Sequence, residues 1–246
     1  MGFILVFLLV WVNSFIGTTD ISNWMLENLL VLLFLPVLVY TYRKYQFSDL
    51  SYLLLCVYLC LHVYGSKYTY AENPFGYWLQ DQFNWSRNHY DRIVHFGFGF
   101  LLAYPMRELF LKWFKFPRWV SWALPIELAL SIGAFYELIE WGVADVFFPE
   151  QGDAYLGTQG DIWDAQKDVF LAFLGAMLAT TIVSLIKNLG NIYSKDEIRD
   201  MKKESKQVNL MDSFFIYSRN QIALDVESGR VELYPKEPYF SAFREA

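Results

Sequence analysis

GDIWDAQKDVFLAFLGAMLATTIVSLIK, residues 160–187, decides the fold. From Val169 to Ile186 no side chain carries a charge. About 20 apolar helical residues cross a hydrocarbon core, so the segment from Trp163 to Lys187 reads as a membrane span. Its first turns are acidic. Asp161, Asp164 and Asp168 fall at i, i+3 and i+7 and form one stripe on a helix. The stripe continues through Ala172, Gly175 and Ala179, small residues of the kind that let membrane helices approach closely. The acidic face is therefore also a packing face.

Working outward, five more apolar runs precede this one: Phe3–Gly17, Asn23–Tyr42, Asp49–Gly65, Tyr90–Phe110 and Val120–Val143. Hydrophobic residues make up 55% of the 246-residue chain, aromatics 20%, and charged residues only 19%, a departure from soluble averages towards the membrane. The fold class is all-α, a polytopic bundle of about six transmembrane helices over residues 1–189, followed by a short tail over 190–246. A net charge of −6 leaves no basic surface for nucleic acid. No Gly-rich phosphate loop occurs either.

Loop charges orient the spans. Arg43 and Lys44 follow the second run, Arg107, Lys112, Lys115 and Arg118 follow the fourth, and Lys187, Lys195, Arg199, Lys202 and Lys203 follow the sixth. By the positive-inside rule these segments are cytoplasmic. The loop after the first run and the stretch from Asp145 to Trp163 lack Lys and Arg, and the loop from Ser66 to His89 is mixed. Both termini then face the cytoplasm of a plasma (inner) membrane protein. The opening MGFILVFLLVWVNSFIG has neither a basic start nor an A-x-A-like cleavage site, so it reads as a retained span. In the tail, SKDEIRDMKKESK reads as helical, and QIALDVESGRVELYP as a short β-hairpin around Ser228-Gly229. Cys56 and Cys60, four apart in an apolar run, pack as small apolar residues.

Two further spans carry acids at helical spacing. In YDRIVHFGFGFLLAYPMREL, Asp91 and His95 share a face, and in SIGAFYELIEW so do Glu137 and Glu140. Gly99 lies four after His95 and Gly133 four before Glu137, repeating the small-residue pattern. The topology puts the start of the fourth span, the end of the fifth and the start of the sixth at one, extracytoplasmic, membrane face. Asp91, His95, Glu137, Glu140, Asp161, Asp164 and Asp168 then converge. Ionisable residues inside a membrane are costly and mark functional sites.

So many carboxylates need counter-charge, or several of them are protonated. Arg92 and Lys167 are each rotated by about 100° from the adjacent acid, so neither is expected to point into the cluster. A divalent cation is the economical alternative, and oxygen ligands with one imidazole suit Mg²⁺, Mn²⁺, Fe²⁺ or Zn²⁺. Plainer roles exist for single members: Asp161 as a helix cap after Gly160, Glu140 as a hydrated interfacial acid, and His95 as a packing residue. His62 and His89 read as structural.

The blocks YDRIVHFGFGFLLAYPMRE, FYELIEW and LGTQGDIWDAQKDVFLAFLGA resemble the hallmarks of the YjdF-like bacterial inner-membrane family of unknown function, over about residues 20 to 187. That family is similar to the VanZ-like group. The shared features fall on Asp91 and His95, on Tyr136 and Glu137, and on the Asp-x-x-x-Asp motif of Asp164 and Asp168. The resemblance implies an inner-membrane protein without an assigned reaction; VanZ-like proteins are associated with resistance to the glycopeptide teicoplanin.

Three functions follow from the residues. The first is a metal-dependent enzyme acting on a lipid or lipid-linked envelope substrate at the outer face. In it Asp91, His95, Glu137, Asp164 and Asp168 hold the metal or act as general base, with Glu140 and Asp161 supporting them. The second is a proton- or cation-coupled transporter using the same carboxylates, and the third an accessory membrane protein without catalysis.

Overall fold

The computed structural model describes residues 2–147, 150, 152, 156–207, 223–225 and 230–232. Among these residues are seven α-helices: α1 Gly2–Phe15, α2 Ile21–Lys44, α3 Asp49–Ser66, α4 Pro74–Phe83, α5 Tyr90–Glu108, α6 Arg118–Phe147 and α7 Asp164–Gln207. The chain is an all-α membrane protein. Four helical segments are long and apolar enough to cross a bilayer: α2, α3, α6 and the Asp164–Lys187 part of α7. The other two expected spans coincide with α1, apolar but only 14 residues long, and α5, whose ends carry Asp91, Arg92, Arg107 and Glu108.

Local chemistry explains the boundaries. Asp20 accepts from the amides of Ser22 and Asn23 to start α2, and Ser48 caps α3 through the Ser51 amide. The Ser66–His89 connection, expected as a plain loop, contains α4. Asn73 caps it, Pro74 takes the first turn where its missing N–H costs nothing, and Asn84 ends it in the left-handed conformation. Phe75, Trp78 and Phe83 on this helix remain exposed, as on a helix lying at a membrane surface. A run of ten residues with mixed polarity escapes a search for spans. At its other end α5 continues into a π-helical turn, Leu109–Trp113.

Two compact units are present, Met1–Ile186 and Lys187–Ala246. In the first, α3 packs against α1, α2 and α5, and α5 against α6. Polar side chains hold the early helices together. Trp11 Nε1 donates to Asn28 Oδ1 (2.6 Å), and Asn28 Nδ2 donates to Ser66 Oγ (3.1 Å). Asn28 is 1% exposed and has its hydrogen bonds, as burial in an apolar medium requires. In the second unit, Ala223–Asp225 and Arg230–Glu232 pair antiparallel, with Leu224 opposite Val231. The expected turn at Ser228-Gly229 lies outside the described residues.

The contact between α5 and α7 sets up the site. A Cβ at Gly99 would lie 1.8 Å from the Ala172 carbonyl oxygen, and one at Gly175 would lie 2.3 Å from the Phe96 carbonyl oxygen. Only glycine permits this approach. The partners rise together along both helices, from Arg92 with Asp164 to Gly99 with Ala172, so α5 and α7 run parallel. Ala103, Ala129, Ala176 and Ala179 close the seam with α6.

Candidate metal centre

One turn before the Gly99–Ala172 contact, the same register brings His95 to Asp168. With Asp91, one turn further back on α5, they form a group whose ligand atoms all lie within 4.8 Å of one another. His95 Nε2 is 3.6 Å from Asp91 Oδ1 and 3.3 Å from Glu137 Oε1 of α6. Asp168 is 2% exposed, and its Oδ1 has no hydrogen-bond partner; neither has Glu137 Oε1. Unpaired buried carboxylate oxygens are expensive. One such oxygen lies on α6 and one on α7, with His95 of α5 beside them, a set of donors suited to a cation.

The seven residues expected to converge divide in two. Asp91, His95 and Asp168 form the compact group, with Glu137 beside His95 and Glu140 on the walls of the adjoining cavities. Asp161 and Asp164 are instead engaged by side-chain cations, two of them Arg92 and Lys167, contrary to the expectation that neither would point into the cluster. Arg87 grips Asp164 through both guanidinium nitrogens (2.5 and 3.1 Å) and also donates to the Thr158 and Gly157 carbonyls. Arg92 Nη2 reaches Asp161 Oδ2 (2.5 Å) and Asp164 Oδ1 (2.8 Å), and Lys167 Nζ reaches Asp161 Oδ2 (2.6 Å).

The reason is tertiary. Arg92 does point away from Asp91 on its own helix, but α7 begins on that flank. The amide of Trp163 also donates to Asp161 Oδ1, so the capping role weighed for Asp161 coexists with its ion pairs. Lys167 and Arg92 hold the Asp161 carboxyl well below the usual range. Burial, and then Arg92 and Arg87, push the His89 imidazole down, leaving its Nδ1 beside Arg92 Nη1 at 3.2 Å.

Around this centre lie Glu27 and Tyr70, which sequence reasoning did not assign, with His62, read there as structural, and Tyr136. Glu27 of α2 is buried, and Tyr136 donates to its Oε2 at 2.6 Å. His62 Nε2 lies 3.2 Å from the Glu27 carbonyl oxygen, and Tyr70 Oη lies 2.8 Å from His62 Nδ1. The Tyr136 ring makes an edge contact with His95. A single acid inside the apolar stretch WMLENLLVLL was the available signal for Glu27.

Two cavities meet at the acids. One of about 760 Å³ is lined by Glu137, Asp161, Asp164 and Asp168 among others, and one of about 280 Å³ lies among α2, α3, α5 and α6; Asp91 and Glu140 line both.

Comparison with known proteins places the chain in a family. No solved structure matches the chain. It is 35% identical over 181 residues to the inner membrane protein YjdF of Escherichia coli (strain K12), a match covering 73% of this chain and 85% of the relative. Residues 1–188 match the family model described as "Predicted membrane protein (DUF2238)". The match takes in every helix that supplies the candidate centre, and the chain belongs to that family of predicted membrane proteins.

Proposed function

We propose that the chain is a metal-dependent membrane enzyme that acts on a lipid or lipid-linked substrate. Asp91, His95 and Asp168 hold a divalent cation, and Glu137 or an unligated oxygen of the same group serves as general base. The observation that carries this reading is the buried Asp168 Oδ1, which has no hydrogen-bond partner, in a compact group with Asp91 and His95, with Glu137 Oε1 3.3 Å from His95 Nε2. The donor set fits, since two carboxylates and an imidazole suit Mg²⁺, Mn²⁺, Fe²⁺ or Zn²⁺. A bound cation would lower the pKa of a water and polarise a phosphoryl or carbonyl oxygen. This chain's own residues do the rest. Arg87 and Arg92 fix the start of α7, and with it Asp168, while Glu137 orients His95.

The charge asymmetry of the loops supports an outward-facing site. Ion passage through the same carboxylates gains Glu27 and His62 as further polar groups, yet the smaller cavity is walled beyond them by residues such as Phe34, Leu55 and Leu102, which offer a moving ion no ligands. Metal analysis of protein purified in a mild detergent tests the proposal. About one divalent cation per chain is expected in the wild type, with loss in Asp168→Ala and His95→Ala and retention in Asp161→Asn. Metal-free wild-type protein that takes up none of the four cations on addition would overturn it.

A further inference from the structure

The smaller cavity has a shape that the metal chemistry does not account for. Its α5 wall is Asp91, Val94, His95, Phe98, Leu102 and Met106, continuing to Leu109, a single face of the helix at spacings of three and four. From Asp91 to Leu109 that wall is about 27 Å long at 1.5 Å per residue, close to the ~30 Å thickness of a hydrocarbon core. The volume, about 280 Å³, sits at the lower limit of small-molecule pockets, roughly 300 Å³. So small a volume drawn out over such a length leaves width for one extended chain.

The lining is graded. At one end stand Asp91, His95, His62 and Glu140; at the other Phe47, Leu55, Met106 and Leu109. Thr41, the one polar residue at that far end, donates to the Leu38 carbonyl of its own helix. Apolar walls of this kind stay dry, and a void among them forfeits dispersion contacts that an aliphatic chain would restore. A side entrance exists as well. Leu30 and Val37 of α2 and Ile132 of α6 line the cavity and are 38%, 52% and 42% exposed, while the Tyr136–Glu27 hydrogen bond ties α2 to α6 at the polar end.

We infer that this cavity holds one aliphatic chain, acyl or isoprenoid, of the lipid on which the site acts, admitted sideways between α2 and α6, with the polar head at Asp91, His95 and Glu140. The inference rests on the reading of the centre as one that acts on lipid. It adds the part of the substrate that is recognised. The head meets carboxylates and whatever cation they hold, whereas the chain is measured by the length of α5.

Photo-crosslinking of the full chain in nanodiscs tests it. Three probes are used: a phospholipid with a diazirine at the end of one acyl chain, the same lipid with the diazirine next to the ester, and a long-chain isoprenoid phosphate with the diazirine at its far end. Far-end probes are expected to mark Leu55, Leu102 or Met106, and the ester-proximal probe Leu30, His95 or Tyr136. Labelling by the acyl probe, the isoprenoid probe or both supports the cavity and selects the chain class. Adducts confined to lipid-facing residues such as Leu33, Phe135 and Leu178, or identical for both diazirine positions, would overturn it. Leu102→Trp is expected to abolish far-end adducts beyond the substitution; should that variant not insert, the position dependence in wild type decides alone. Repeating the labelling in EDTA separates the two proposals, because the chain occupies the cavity whether or not a metal is bound.

Discussion

The two ends of α5 treat a buried carboxylate in opposite ways. At the Glu108 end one acid collects Tyr45 Oη (3.1 Å), the Ser48 amide and hydroxyl, the Ser51 hydroxyl and Lys112 Nζ (2.8 Å). Glu108 is 4% exposed and fully employed in tying α2, α3 and the π-helical turn together. At the other end Asp168 is 2% exposed and has an oxygen with no hydrogen-bond partner, while the half-buried Glu137 nearby has its Oε1 without a hydrogen bond, 3.3 Å from His95 Nε2. Burial alone therefore does not distinguish a structural acid from a functional one. Saturation separates them: a satisfied carboxylate has little capacity left for a ligand, and an unsatisfied one imposes a cost on the fold that a bound cation or a proton relieves.

The sharpest way to break this contrast lies within the acidic end itself, where Asp164 is as saturated as Glu108. Arg87→Ala removes both of its bidentate bonds but leaves Arg92 on Asp164 Oδ1, and is expected to lower stability by about 1.5–3 kcal/mol, the range for hydrogen bonds to charged groups. Denaturant or thermal unfolding in mild detergent reads it. In Asp164→Asn the same change should cost markedly less, and equal losses in both backgrounds would mean that the pair is idle.

Next in size is the packing that sets the register. Gly99→Ala drives a methyl into the Ala172 carbonyl and should cost about 1–3 kcal/mol. Gly133→Ala places its Cβ 3.5 Å from the Ala172 Cβ, an ordinary contact, and should be nearly neutral. Circular dichroism melts of the two variants side by side check the difference.

The direct comparison of the two ends comes third. Glu108→Gln surrenders charge-assisted hydrogen bonds and is expected to lose about 1.5–3 kcal/mol. Asp168→Asn in metal-free protein is expected to gain on the order of 1 kcal/mol, as removing a strained functional group often does. If both variants lose stability equally, saturation is not the dividing property.

The smallest effect concerns pH. The Asp161 carboxyl is held below the usual range by Lys167 and Arg92. A depressed folded-state pKa stabilises fully above the ordinary aspartate value, and that stabilisation is lost as pH falls beneath it. Lys167→Ala should lower the thermal midpoint slightly near neutrality and flatten its fall on acidification, so that variant and wild type converge at low pH, as thermal scans across pH will show.

Much of this was legible in the residues. The apolar runs locate α2, α3, α6 and α7 because a membrane leaves few alternatives to a long helix. Helical phase alone joins Asp91 to His95 and aligns Asp168 with Ala172. What helical phase cannot supply is the flank on which a neighbour docks. Arg92 was misjudged because its partner belongs to another helix; Arg87 went unassigned because it sits in a connection, and Glu27 because its partner, Tyr136, is 109 residues away. The amphipathic α4 was missed because ten residues of mixed polarity resemble a loop until Asn73, Pro74 and Asn84 are read as punctuation.

The parallel seam between α5 and α7 also has a consequence in time. Chains are threaded into the membrane from the N-terminus as they are synthesised, so α1 to α3, with Asn28 already satisfied, can assemble while the ribosome is still at work. Asp91 and His95 enter the bilayer long before Asp168 exists. The group of Asp91, His95 and Asp168 comes together only when α7 slides Ala172 onto Gly99, which makes the arrival of that helix the step that assembles it.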